Sequence, residues 1–344
     1  MIDAEHPRVE RRAHGPWIDI HAHPGACFTL DAAPAPGGLV GAAPTRVAID
    51  AIRASEVTIS SFSTVADLAV LGFLPGGGLG AVRDFEPGEA LADHDRQLRA
   101  IGALATDGRI ALVQDARDVE RLHADGEVGM LVTCEGGDFV EGALERLQAA
   151  HAAGARSVTL VHYRPSEVGD LQTSDPQHGG LSAVGREIVA EMNRLGMIVD
   201  LAHASMATTA DAIAVSTYPI VISHSHLASP GHDHPRLLTP DHARMVAEAG
   251  GLIGAWPSGV VCETLADYAD EICRLVDLLG VEHVAIGSDM DANYKPVLHA
   301  YPQFLELAGL LGGRGLDARE VDAILGGNYL GLMHAVLGAT SKPD

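Results

Sequence analysis

From Trp17 onward, short runs of apolar and β-branched residues alternate with longer stretches whose apolar positions recur at three-and-four spacing. The short runs read as strands buried on both faces and the longer ones as helices with one core-facing side, so their alternation predicts βα units around a parallel sheet. The strand-like runs are 17–20, 57–62, 129–133, 157–161, 197–201, 219–222, 251–255 and 283–286, with helical patterns over 144–153, 183–195 and 265–279 among those between them. Eight strands joined by helical crossovers is the count of a closed (β/α)8 barrel, a TIM-like α/β fold. The stretch 63–127 is too long for one connection and predicts an insertion after the second strand, built from a loop, two helices and an extra short strand. Its Pro75-Gly76-Gly77-Gly78 run lacks a following Lys-Ser or Lys-Thr, so it reads as a turn rather than a phosphate-binding loop. Residues 1–15 read as an N-terminal arm, and 301–311, 317–325 and 328–337 as helices within a closing C-terminal segment, 301–340. The whole chain, 1–344, reads as one barrel domain.

Barrel enzymes carry their reactive residues at the C-terminal ends of the strands, and six of the eight runs here end in an imidazole or a carboxylate. The first is followed by His21-Ala22-His23, the third by Glu135, the fourth by His162, the fifth by His203, the sixth by His224 and the eighth by Asp289. On an extended strand the two rings of His-x-His point to the same side, an arrangement suited to a zinc-type ion. Glu135 ends an apolar strand and precedes two glycines; burying it there is costly unless a cation or a set of hydrogen bonds compensates it, and its two oxygens could bridge two metals. His203 and His224 come from neighbouring strands and form a natural pair for a second metal. His224 is preferred to His226, which lies two positions on and could share its face. Asp289 is preferred to Asp291 because it comes first after the strand, and it is placed to accept a proton from metal-bound water. His232 and His234 fall in a Pro/Gly-punctuated loop and read as surface or supporting groups.

Composition narrows the partners. The 344 residues are 47% hydrophobic and 20% charged, as in a folded globular chain, and 23 Lys and Arg against 46 Asp and Glu leave a net charge of −23. Such a field repels phosphate backbones and anionic headgroups, so neither nucleic acid nor a membrane surface is expected as a partner. The four cysteines are widely separated, which points to a reducing compartment. The N-terminal charges have no apolar segment behind them, and the most apolar window, 65–82, is broken by Asp67, Pro75 and five glycines. The expected location is cytoplasmic.

Several stretches together resemble the membrane (renal) dipeptidase family of zinc peptidases, a branch of the amidohydrolase-type barrels. They are Asp19-Ile20-His21, Glu135-Gly136-Gly137, Leu160-Val161-His162, Gly180-Leu181-Ser182, Asn193-Arg194-Leu195-Gly196, Asp200-Leu201-Ala202-His203, Ser223-His224-Ser225, His234-Pro235-Arg236 and Gly287-Ser288-Asp289-Met290-Asp291. The resemblance implies two zinc ions bridged by Glu135 and a hydroxide, one held by His21 with Glu135, the other by Glu135, His203 and His224. It implies that Asp289 takes the proton, His162 steadies the oxyanion, Arg236 grips the substrate carboxylate, and the substrate is a small dipeptide. It also implies a homodimer. The family's first strand normally ends in His-x-Asp, whereas this chain has His23; imidazole is an equally good zinc ligand, so His23 is expected to bind metal and to leave the cluster one unit more positive. The same ligand set would serve hydrolysis of an N-acyl amino acid, a lactam or another small carboxylate-bearing amide.

Overall fold

The computed structural model describes residues 14–32 and 44–338. Most of the predicted N-terminal arm and the last two positions of the predicted C-terminal segment lie outside the described residues. The strands are β1 (Trp17–Asp19), β2 (Val57–Val65), β3 (Leu71–Phe73), β4 (Leu79–Ala81), β5 (Ala111–Leu112), β6 (Gly129–Glu135), β7 (Ala155–Thr159), β8 (Ile198–Asp200), β9 (Val221–Ser225), β10 (Leu252–Ala255) and β11 (Val284–Ile286). Eight of them form a parallel wall in the order β1-β2-β6-β7-β8-β9-β10-β11. The Ile20 N–H donates to the Ile286 carbonyl at 2.9 Å and the Asp289 N–H to the His21 carbonyl at 2.8 Å, which brings the last strand back to the first. The architecture is the expected TIM-like barrel, and each of the eight predicted runs overlaps one wall strand.

Two sequence boundaries shift. β2 continues past Phe62 through Ser63, Thr64 and Val65; serines do not end it, since the Ser61 Oγ donates to the Ile20 carbonyl at 2.7 Å and the Ser63 Oγ to the Thr64 carbonyl at 3.1 Å. The insertion holds helices Glu89–Thr106 and Ala116–Asp125 and the short strand β5, as expected, and adds an antiparallel hairpin, β3 with β4. The glycine run is the turn of that hairpin, closed where the Leu74 N–H donates to the Gly78 carbonyl at 3.0 Å.

Period-two alternation sorts the wall residues into two layers. Ile18, Ile20, Ile59, Leu131, Ile198, Val221, Leu252 and Ala285 pack together with Tyr329, Leu332 and Met333 from helix Asn328–Val336. Residues of the other parity, such as Met130, Val132, Cys134, Val158 and Ile253, pack with the helices Leu144–Ala152, Ala183–Leu195 and Leu265–Leu279 in the larger core. Glu135 shares its parity with Leu131, so the barrel interior is where its carboxylate must go. Among the described residues, no helix is long and apolar enough to cross a membrane.

The interior above the apolar layer is tight where β9, β10 and β11 meet. A Cβ on Gly254 or on Gly287 would lie 1.8 Å from the Ser223 carbonyl oxygen, so both strands pass at a distance only glycine allows. Gly254→Ala is expected to lower stability by about 2 kcal/mol or more, since backbone must move to admit the methyl. Denaturant unfolding measures this, and an unchanged midpoint would refute the close approach.

Candidate active site

The six residues or pairs expected at the strand ends converge on one point, the carboxylate of Glu135 at the end of β6. His21 Nε2 lies 3.4 Å, His162 Nε2 3.5 Å, His203 Nε2 3.1 Å and His224 Nε2 3.6 Å from Glu135 Oε1, while His23 Nε2 lies 3.3 Å from Oε2. Asp289 Oδ1 is 3.4 Å from His23 Nε2 and 3.9 Å from His21 Nε2. All of these side chains are buried. The chain can deliver Glu135 here because Gly136 turns in the left-handed region at φ 94° and a Cβ on Gly137 would meet the Leu160 carbonyl at 2.9 Å. His203 and Asp289 themselves sit at φ 66° and 52°, uncommon for residues with side chains and costly unless neighbouring bonds hold them. The Gln172 N–H donates to the His203 carbonyl at 2.7 Å, which braces that turn.

The alternatives left open by the sequence separate in space. His224 turns to the cluster, its Nε2 3.1 Å from that of His203. His226 faces away, between Cys262 Sγ at 3.9 Å and Glu271 Oε1 at 3.5 Å. Asp291 accepts from the Gly25 N–H at 2.6 Å, whereas Asp289 reaches the cluster. His232 and His234 are exposed.

Charge in this pocket is set by burial and by the neighbours. Burial holds His203 and His224 well below the usual imidazole range, helped by the Arg236 and His162 charges at the first and the His21 charge at the second. Both are therefore neutral, the form in which imidazole binds metal. Burial opposes charge on His23 and His162 too, but the close Asp289 and Glu135 carboxylates lift the first to about 10, and Asp67 with Glu135 lifts the second to about 9. Against its own burial, Glu135 is held well below the ordinary carboxylate range by the His162 and His21 charges and by the hydrogen bond from His203.

The donor set fits divalent ions. Two ligand atoms about 2.0–2.1 Å from a tetrahedral ion stand about 3.3–3.4 Å apart. The Glu135 contacts to His21 and His23, and the His23–Asp289 contact, match that spacing, while His203–Glu135, His203–His224 and His224–Glu135 bracket it at 3.1, 3.1 and 3.6 Å. Three groups drawn from these residues and His162 bring donor atoms within 4.8 Å of one another: His21, Glu135 and His224; His21, His23 and Asp289; Glu135, His162 and His203. The Nε2 atoms of His21 and His23 are buried without a hydrogen-bond partner. The other ring nitrogens are held from behind. His23 Nδ1 donates to the Ser63 carbonyl at 3.2 Å, and His224 Nδ1 meets Ser223 Oγ at 3.1 Å, which in turn donates to Asp200 Oδ2 at 2.6 Å.

Arg236 lies beside the cluster and is only 1% exposed. Its guanidinium donates to Gln172 Oε1 at 2.6 Å and to the His224 carbonyl at 3.5 Å, and sits 5.5 Å from the Trp256 ring centre. Among the described residues it has no carboxylate partner, and its Nε is buried without any. An interior cation so placed is a ready receptor for an anionic group.

Sequence reasoning missed four residues of this site. Asp67 receives the His162 ring at 2.6 Å, and the Trp256 Nε1–H donates to Asp289 Oδ2 at 3.0 Å. They follow β2 and β10, the two strands with no imidazole or carboxylate directly at their ends. Following β2 to its true end would have reached Asp67 by the same rule that found the rest. The indole of Trp256 carries no such signal, and nothing in the sequence marks Gln172 as a partner of Arg236 or Tyr163 as a neighbour of His203.

Residues 77–342 match the membrane dipeptidase family, peptidase family M19. Dipeptidase aclJ of Aspergillus oryzae is 35% identical over 218 residues, covering 60% of this chain and 51% of that protein. Dipeptidase verJ of Clonostachys rogersoniana is 33% identical over 241 residues, covering 68% of this chain and 62% of that one. The chain thus spans between about half and two thirds of the curated relatives it matches. Among solved structures, dipeptidase AC, a metallopeptidase of family M19, superposes with a TM-score of 0.76 at 22% identity over 94% of this chain and 99% of that one. A metallopeptidase from Rhodobacter sphaeroides, solved with a phosphinate mimic of the dipeptide L-Ala-D-Ala, gives 0.74 at 22% identity over the same shares. At that identity these two speak for the barrel, while the family match runs over well more than half of the sequence: the chain belongs to the membrane dipeptidase family, peptidase family M19.

Proposed function

We propose that this protein is a binuclear zinc dipeptidase, a single barrel domain whose substrate is a small dipeptide. The observation that carries the reading is the spacing of donor atoms around Glu135, which suits two tetrahedral ions sharing one carboxylate. His21, His23 and Glu135 would hold one ion, and Glu135, His203 and His224 the other. When bound, such a pair polarises a carbonyl and makes a bridging water acidic enough to serve as hydroxide at neutral pH.

The chain's own residues supply the rest. Arg236 binds the terminal carboxylate of the substrate, which fixes the scissile carbonyl over the cluster. His162 donates from Nε2 to the carbonyl oxygen as negative charge develops there. Asp289 accepts the proton of the attacking water at Oδ1 and returns it to the leaving amine, while Trp256 keeps its Oδ2 engaged. A single internal cation for a single carboxylate favours dipeptides over longer chains, whose carboxylate would lie further from the bond to be cut.

Elemental analysis of purified protein is expected to give two zinc ions per chain, with dipeptide hydrolysis in a substrate screen. Asp289→Asn should retain both metals and lose on the order of 10²- to 10⁴-fold in kcat. Hydrolysis of N-acyl amino acids without any of dipeptides would move the assignment to an amidohydrolase using the same site. Arg236→Gln should raise KM for dipeptides about 10- to 100-fold and leave the already poor turnover of C-terminally amidated dipeptides unchanged; equal losses on both would remove Arg236 from carboxylate binding. His23→Asp should retain two metals and shift dipeptide preference, whereas a His23→Ala variant that keeps both metals and full activity would show that His23 is no ligand.

A further inference from the structure

Asp67 is fully buried, stands two residues past β2, and precedes the residues matched to the family. Its carboxylate is committed entirely to the segment that follows β7. Oδ1 accepts from His162 Nδ1 at 2.6 Å, and Oδ2 accepts from the backbone N–H groups of Tyr163 at 3.1 Å and Arg164 at 2.9 Å. The ring contact fixes the imidazole plane and the site of its proton, leaving Nε2 directed at Glu135. The backbone contacts fix the path of Tyr163, whose ring packs edge-on against His203 at 4.9 Å. The far side of the same turn is held by Arg164, which donates to Asp138 Oδ1 at 2.7 Å.

Through these bonds one carboxylate sets both the donor of the proposed reaction and the ring that packs against a candidate metal ligand. We propose that Asp67 is a positioning residue: it aligns the His162 donor through the ring nitrogen, and through the backbone it seats Tyr163 against His203. The inference rests on the reading of His162 as oxyanion donor. A carboxylate merely capping a loop would need only the two backbone contacts. The third, to a ring whose far nitrogen faces the metal cluster, is the feature such a role leaves without purpose.

Two substitutions divide the contacts. In Asp67→Asn the amide oxygen can still accept from the Tyr163 and Arg164 N–H groups, while the amide nitrogen replaces the acceptor facing His162. This variant should keep wild-type metal content and KM, the latter within about threefold, and lose on the order of 10- to 100-fold in kcat. Asp67→Ala releases the backbone as well and should deepen the loss of kcat about 10-fold further. An Asp67→Asn variant with wild-type kcat, beside a His162→Ala variant that has lost kcat, would overturn the role of Asp67 alone. Wild-type kcat in His162→Ala would overturn the oxyanion reading and this inference with it. Equal kcat in folded, metal-loaded Asp67→Ala and Asp67→Asn would remove the backbone arm. The unmutated protein offers a check that needs no variant of Asp67 to fold: proton NMR should show a slowly exchanging, low-field imidazole Nδ1–H that vanishes in His162→Ala. Its absence would show that the ring contact does not exist.

Discussion

The site is organised by the problem of a carboxylate buried where water cannot solvate it. An ion of that size loses several kcal/mol on leaving water unless its surroundings repay the loss. Glu135 is met by five imidazole nitrogens between 3.1 and 3.6 Å away. These cannot all neutralise it by taking protons, because burial keeps His203 and His224 uncharged. His203 Nε2 carries at most one proton, so its 3.1 Å contacts with Glu135 Oε1 and with His224 Nε2 cannot both be full hydrogen bonds. A shared cation would relieve both conflicts.

Holding so many polar groups at one depth requires a rigid rim, and the barrel makes it by using one device twice. Asp200 accepts from both the N–H (2.9 Å) and the Oγ (2.6 Å) of Ser223, the residue before His224. Asp19 accepts from the N–H (2.9 Å) and the Oγ (2.5 Å) of Ser288, the residue before Asp289. In each case a buried aspartate on one strand ties down the adjacent strand at the point where its chemical group begins. Asp19 bears the cost visibly: burial raises it to about 7 even against the hydrogen bonds from Ser288. The glycines at 254 and 287 belong to the same construction, since both leave room for the Ser223 backbone that these bonds fix.

Most of this was legible in the sequence, because barrel strands are apolar runs and the groups at their ends are the few residue types that ionise. Glu135, His203 and Asp289 each follow a largely apolar strand run, so their placement needed no knowledge of tertiary structure. Asp67 was hidden by Ser63 and Thr64, which look like the end of a strand, yet both are buried within β2. Arg236 was visible only through family resemblance. Its loop reads as surface, and its burial depends on Trp256 and Gln172, which arrive from elsewhere in the chain. Pairings such as His162 with Asp67 join residues 95 apart, and no local pattern encodes them.

The electrostatics of substrate capture work at two ranges. With a net charge of −23 the chain repels polyanions at a distance, though salt screens this field within about 10 Å. Deeper in, Arg236 is buried and, among the described residues, has no carboxylate partner, so its charge acts through a medium far less screening than water. The same charge depresses protonation of His203, so it also helps keep a candidate metal ligand in its binding form. On the proposed reading, a small molecule carrying one carboxylate would gain from this inner charge while feeling little of the outer field. A long acidic polymer would experience the reverse, so the chain's acidic balance and the buried guanidinium would act together as a size and charge filter.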